Sequence, residues 1–237
     1  NAGRRERAEQ LASEAMTVES RTPLAAVVLS ELRMADDDTA GARQLLRQAL
    51  DAGRPHPQVL SRLARLARDE GDYNQAAELY ELGLDHFPDD PQWLRGLTAA
   101  YWQLDDTTRL KPLLAELTLQ TPNDASVRKK RAAIALAEQD FETAIAFGRL
   151  ALHIDVLDAE VHRILGEAYQ GSGNNRRALA EFETAVEVRP DDARLELALA
   201  RAYVEAGRAP EARPLLEKLI ARRPEHAEAK RLLEELD

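Results

Sequence analysis

The chain has no cysteine among its 237 residues, which excludes disulfides, thiolate metal sites and a cysteine nucleophile. No stretch approaches the roughly 18 consecutive apolar residues that a membrane helix needs, so no membrane insertion is expected. Positive charge is the scarcer sign, with 32 Lys and Arg against 42 Asp and Glu and a formal net charge of −10. That balance argues against nucleic acid as a partner, because phosphate backbones attract basic surfaces. Histidines are few: His56, His86, His153, His162 and His226, none spaced as HxxxH or HExxH. His153 and His162 fall on neighbouring predicted helices and read as surface or packing residues rather than metal ligands. Gly171-Ser172-Gly173 lies at a helix end rather than between a strand and a helix, so it reads as a turn and not a phosphate loop. The carboxylate runs Asp36–Asp38 and Asp155–Glu160 lack the central glycine and terminal glutamate of a calcium loop. No Ser–His–Asp set can be nominated. The sequence therefore predicts no catalytic residue, no metal, no cofactor and no enzyme activity.

What is present is a pattern, clearest in residues 57–90. This stretch reads as two amphipathic helices, helix A over about 58–70 and helix B over about 74–87. Gly71 stops the first, Asp72 caps the second, and Pro88 closes the unit. Small Ala64 and Ala76 mark close helix approach, and Leu60, Leu63 and Tyr80 interlock.

The unit recurs every 34 residues. Pro88, Pro122, Pro190 and Pro224 share one phase, with Val156 in the remaining slot. Ala42, Ala76, Ala144, Ala178 and Ala212 share a second, with Leu110 in its gap. Leu29, Leu63, Leu97, Leu165 and Leu199 share a third. Asp38, Asp72, Asp106 and Asp140 open successive B helices; Asp90, Asp124, Asp158 and Asp192 open successive A helices. An aspartate there accepts a hydrogen bond from a free backbone N–H and faces the positive end of the helix dipole. Much of the acidity thus has a local cause. His56 and His226 share the phase of the A-helix caps and are read as their substitutes.

A 34-residue helix–turn–helix period resembles the tetratricopeptide repeat (TPR) family. The resemblance implies an all-α, right-handed α-solenoid in which each hairpin packs on its neighbours. Six repeats are expected, 23–56, 57–90, 91–124, 125–158, 159–192 and 193–226. Residues 1–22 read as the second half of a truncated repeat, with Gly3 in the turn phase. Residues 227–237 read as a capping helix or the start of a seventh repeat, and the whole as a fragment of a longer array. Pro112 and Pro214 are expected near the start of their B helices, where proline costs little because the first four N–H groups have no intrahelical partner.

Repeat 125–158 departs most from the pattern. Arg131 stands for a leucine in helix A, Gly148 for a large residue in helix B, and Val156 for the proline. It reads as tolerated degeneracy, a soft joint or a partner site.

Within each A helix, positions 4, 7, 8 and 11 of the repeat form the packed stripe. Positions 2, 5, 6, 9, 12 and 13 lie opposite. In the TPR family that opposite side lines a concave groove that binds peptide or helical segments. Carried over by resemblance, the groove of 57–90, 91–124 and 125–158 includes Arg62, Arg65, Arg68, Arg95, Trp102, Lys129 and Lys130, with Asp69 as its one acid. Arginine forks beside an aromatic suit a carboxylate-bearing partner. The alternative is that these cations only balance acidic B helices. Some chaperone-binding members clamp a C-terminal carboxylate with Lys, Asn and Arg; Asn is absent here from positions 6 and 9 of every repeat.

The function expected is a non-catalytic protein–protein interaction scaffold for a partner segment of acidic character. A second reading is a periplasmic TPR scaffold of bacterial exopolysaccharide export or secretion that recruits a polysaccharide-modifying enzyme or guides the polymer. Arginine outnumbers lysine 27 to 5, a bias associated with GC-rich bacterial genomes.

Overall fold

A computed structural model describes residues 2–17, 23–51 and 55–236. It divides into two compact units, Asn1–Gln120 and Thr121–Asp237. Among the described residues every regular element is an α-helix. The first unit holds α1 (Ala2–Thr17), α2 (Pro23–Ala35), α3 (Thr39–Asp51), α4 (Pro57–Asp69), α5 (Tyr73–His86), α6 (Pro91–Gln103) and α7 (Thr107–Gln120). The second holds α8 (Ala125–Ala137), α9 (Phe141–Leu152), α10 (Ala159–Gly171), α11 (Asn175–Val188), α12 (Ala193–Glu205), α13 (Ala209–Arg222) and α14 (Ala227–Glu234). Within each unit successive helices pack on one another as hairpins, and α2 also packs on α4, and α8 on α10.

The helices start where their caps dictate. Each of the eight phased aspartates accepts a backbone N–H two or three residues ahead: Asp38 from Gly41, Asp72 from Gln75, Asp106 from Arg109, Asp140 from Thr143, Asp90 from Gln92, Asp124 from Ser126, Asp158 from Glu160 and Asp192 from Arg194. His56 and His226 do the same through Nδ1, each at 3.3 Å. Asn174 takes the aspartate role for α11. Gly71, expected to stop α4, has φ +82°, and residues one repeat apart from it share the left-handed region whether or not they are glycine: Asp37, Asp105, Gln139, Gly173 and Gly207.

Three expectations need correction. Pro112 and Pro214 are the sixth residues of α7 and α13, beyond the four free N–H groups, so each removes a helical hydrogen bond. Both are solvent-exposed, which places the unpaired carbonyl side of the helix toward water. Gly3 lies within α1 rather than in a turn. Residues 18–22, assigned to the partial leading repeat, and Asp237 lie outside the described residues.

The core is built from two stripes on each A helix, not one. In α4 the expected stripe, Leu60, Leu63, Ala64 and Ala67, is buried. So is repeat position 3 in every described A helix: Ala25, Val59, Trp93, Val127, Val161, Leu195 and Ala229. Within each unit that second stripe docks on the preceding B helix, as Ala25 does beside Ala12, Val161 beside Ala151 and Leu195 beside Ala185. Trp93 of α6 shows this contact, lying against Gly83 and Tyr80 of α5, with Phe87 stacked on its ring at 6.1 Å.

The divergent residues 125–158 carry compensating contacts. The Arg131 guanidinium lies 3.8 Å from the centre of the Phe147 ring, a cation–π contact. Gly148 is buried because Leu165 fills the space of its side chain; an added Cβ would come within 2.7 Å of Leu165 Cδ2. The turn that lacks proline is tied down by a hydrogen bond between His162 Nε2 and the Val156 carbonyl.

Candidate functional site

In the first unit, α2, α4 and the start of α6 enclose an open groove of about 550 Å³. Its walls are repeat positions 2, 5, 6 and 9: Leu24, Val27, Val28 and Glu31 from α2, Gln58, Ser61, Arg62 and Arg65 from α4, and Gln92 from α6, with Pro57 at the edge. The helical period puts these positions on one side, and burial of positions 3, 4, 7 and 8 fixes which side faces out. One wall is therefore aliphatic and the other polar and cationic. Leu24 is 54% exposed and Val28 36%, so this apolar wall is open to solvent through those two residues, while Val27 is buried behind them.

The two arginines on the cationic wall differ. Arg62 is ion-paired with Glu31 across the groove. Arg65 is exposed and has no ion-pair partner among the described residues. Arg65 and Arg62 also border a smaller pocket of about 200 Å³, walled by Ser30, Met34, Leu46, Leu66 and Asp69.

The other nominated residues sit apart from this groove. Arg68, further along α4, is exposed and bonded to Asp69 at 2.9 Å, and that hydrogen bond holds its guanidinium pKa above the ordinary value. Arg95 of α6 is exposed and Trp102 half-buried; neither walls the groove. Lys129 and Lys130 belong to the second unit and are half-buried there. Lys129 Nζ is 2.6 Å from Asp158. Burial works to raise the Asp158 carboxyl, but the hydrogen bond and charge of Lys129 outweigh it and hold the group below the usual carboxylate range. Lys130 is pushed below the usual lysine value by burial and by neighbouring Lys129.

Three of these cations have their acid on an A helix or at its cap: Arg62 pairs with Glu31 of α2, Arg68 with Asp69 of α4 itself, and Lys129 with Asp158, the cap of α10. The same holds elsewhere on the second unit, where Arg163 pairs with Glu160 and Glu167 and Arg201 with Glu228. Sequence reasoning places Glu31 on the apolar face of the first repeat with Leu24, Val27, Val28 and Met34, and misses only its pairing with Arg62 on the next hairpin. The signal available was its position 9, level with the groove positions of α4.

Among the described residues, no group of three or more His, Cys, Asp or Glu side chains could hold a metal ion. No helix there is long and apolar enough to cross a membrane. His162 is buried against Glu181 and the Val156 carbonyl, while His153 is exposed, so the two histidines have separate environments.

Residues 2–235 match the family described as the Cilia and flagella-associated protein 70 C-terminal domain, a TPR family. Cellulose synthase operon protein C of Xanthomonas axonopodis pv. citri (strain 306) is 27% identical over 246 residues, covering 94% of this chain. The chain spans 16% of that relative's length. Three solved structures share the fold. YrrB, described as a TPR protein with an unusual peptide-binding site, superposes with a TM-score of 0.68 at 15% identity, covering 78% of this chain and 95% of its own. MamA from Desulfovibrio magneticus RS-1 gives 0.67 at 17%, covering 72% and 97%. The Cut9–Hcn1 assembly of the APC/C gives 0.65 at 17%, covering 99% of this chain and 46% of the matched one. The fold is an all-α solenoid of TPR hairpins.

Proposed function

We propose that this chain, which belongs to the family of the Cilia and flagella-associated protein 70 C-terminal domain, is a non-catalytic scaffold that holds a partner's acidic segment in the groove between α2 and α4. One observation carries the reading: Arg65 stands exposed in the groove and unpaired among the described residues, in a chain of net charge −10. A guanidinium is a planar fork matched to a carboxylate, and a cationic groove in an acidic protein steers an anionic segment toward itself. The aliphatic wall from Leu24, Val27 and Val28 adds apolar contact beside the charge. Arg68, Arg95 and Trp102 are proposed as outlying contacts on the same unit. Lys129 and Lys130 are proposed as contacts of the second unit alone, where a ligand carboxylate competes with Asp158 for Lys129.

Charge reversal tests this. Arg65→Glu lowers affinity for a labelled acidic peptide at least tenfold at low salt and leaves the helical circular-dichroism spectrum unchanged. Equal affinity in the variant removes the groove assignment.

A second reading concerns context. The similarity to a cellulose synthase operon protein favours a scaffold in bacterial exopolysaccharide export, located in the periplasm and engaging a polysaccharide-modifying enzyme or the polymer itself. Binding of a cationic polysaccharide that persists in the Arg65→Glu variant supports that reading over the peptide groove.

A further inference from the structure

The groove and the smaller pocket share the two arginines, and the pocket differs from the groove in what lies behind them. Its floor is Leu46, 1% exposed, and Leu66, 9% exposed. Met34 stands at its rim and is 40% exposed. Ser30 adds little polarity, because its hydroxyl donates to the Val27 carbonyl at 2.7 Å. At about 200 Å³ the pocket has room for one bulky aliphatic side chain. Charge across it is asymmetric. Arg62, Arg65 and Asp69 all stand on α4, so this wall runs from cationic at Arg62 and Arg65 to acidic at Asp69, held by Arg68, about one turn further along.

We infer that the segment recognised here carries a carboxylate adjacent to a bulky aliphatic residue, the carboxylate on Arg65 and the aliphatic side chain seated over Leu46 and Leu66. This rests on the groove reading above and narrows it. A plain polyanion satisfies Arg65 but leaves the pocket unfilled, and a second carboxylate beyond the aliphatic residue meets Asp69, whose charge already engages Arg68, rather than an open cation. The preferred ligand is therefore acidic on one side of its anchor only. An aliphatic side chain moved from water onto this floor supplies affinity, while the carboxylate supplies orientation.

The test uses the full chain and fluorescence anisotropy at low salt, with labelled eight-residue peptides in a glycine–serine background. One peptide holds an aspartate followed by leucine. Others replace the leucine by alanine, replace the aspartate by asparagine, or add a second aspartate on the far side of the leucine, and each is also made in reversed order. The expectation is that the better order of the aspartate–leucine peptide binds about tenfold tighter than its alanine and asparagine analogues. The peptide with aspartates on both sides gains no more than twofold. Met34→Asn, a change at an exposed rim position, erases most of the leucine preference.

If leucine and alanine peptides bind within twofold of each other and Arg65→Glu still abolishes binding, the pocket assignment is wrong and the acidic groove stands. If binding ignores Arg65→Glu, or no peptide binds at millimolar concentration, the groove reading falls and this inference falls with it.

Discussion

Arg62 on α4 reaches across the groove to Glu31 on α2, so the protein presents its own carboxylate to one of the two arginines that would receive a ligand's. Both side chains are more than a third exposed, and an ion pair so placed contributes little to stability. Its consequence is for binding. A ligand carboxylate competes with Glu31 for Arg62, whereas Arg65 is open to it.

Glu31→Gln therefore tightens binding of an acidic peptide, by about two- to fivefold at low salt, with little effect on the unfolding midpoint. Titration calorimetry of the two proteins checks this. The salt dependence of affinity should steepen in the variant, since one more guanidinium becomes available to the ligand.

His162 predicts a pH effect confined to the second unit. It is buried at 7% exposure, in the repeat phase that holds Leu60 and Leu94 in the first unit. Its Nδ1 lies 2.7 Å from a Glu181 carboxylate oxygen and its Nε2 3.0 Å from the Val156 carbonyl. Both partners accept, so the ring satisfies both as an imidazolium. The Glu181 hydrogen bond raises its pKa above the usual 6.5 against the opposing effect of burial, with smaller help from the Val156 carbonyl and the charges of Glu181 and Asp158. The stability it contributes is fully present below the unfolded value near 6.5 and is lost as pH rises through the higher folded value. The stability gap between wild type and His162→Gln is therefore widest near pH 5.5 and shrinks toward pH 9. Urea unfolding at several pH values measures it, and a gap constant with pH refutes the imidazolium assignment.

Glu196 is a buried charge in the same phase, 1% exposed on α12. One carboxylate oxygen pairs with Arg222 of α13; the other has no hydrogen bond among the described residues and sees Lys218 Nζ at 3.5 Å. Replacing such a charge by an apolar side chain of similar size is often neutral or stabilising, whereas removing its partner strands it. Glu196→Leu is expected to hold or raise stability by up to about 2 kcal/mol. Arg222→Ala is expected to cost about 3 kcal/mol, toward the low end because Lys218 remains close. Chemical denaturation of both variants decides the order.

Gln139 predicts a gain. It has φ +60° in the turn between α8 and α9, the conformation Gly71, Gly173 and Gly207 adopt in other repeats. A residue with a Cβ is strained there, by roughly 1–2 kcal/mol, and glycine relieves this less its greater unfolded-state entropy. Gln139→Gly is expected to stabilise by a few tenths to about 1 kcal/mol, and Gly173→Ala to destabilise by a similar amount. Thermal melts of the two variants check the opposite signs.

Much of the fold was legible because helix ends are chosen locally. The eight phased aspartates and two histidines each need only their own backbone N–H groups, and each makes the bond its position predicts. Less legible was anything that depends on the neighbouring hairpin. A helical wheel assigns one buried face, but an A helix in a stack meets its own B helix and the preceding one, which is why Val59, Trp93 and Val161 are buried beyond the expected stripe. The same second contact crowds repeat position 6. Ile164 is 1% exposed there, and a Cβ on Gly96 would strike Tyr80. The pairing of Arg62 with Glu31 spans two hairpins and has no local signature. The prolines misled for a smaller reason: the period gives phase well, but depth within a helix only once the cap is known.

The most direct test of the binding face is a heteronuclear NMR titration of the labelled protein with the aspartate–leucine peptide. The account predicts that shift changes concentrate on the groove walls, at Val28, Ser61 and Arg65, and at Met34 beside the pocket. Changes concentrated instead on exposed B-helix residues such as Glu78 and Asp85, with α2 and α4 undisturbed, would contradict it.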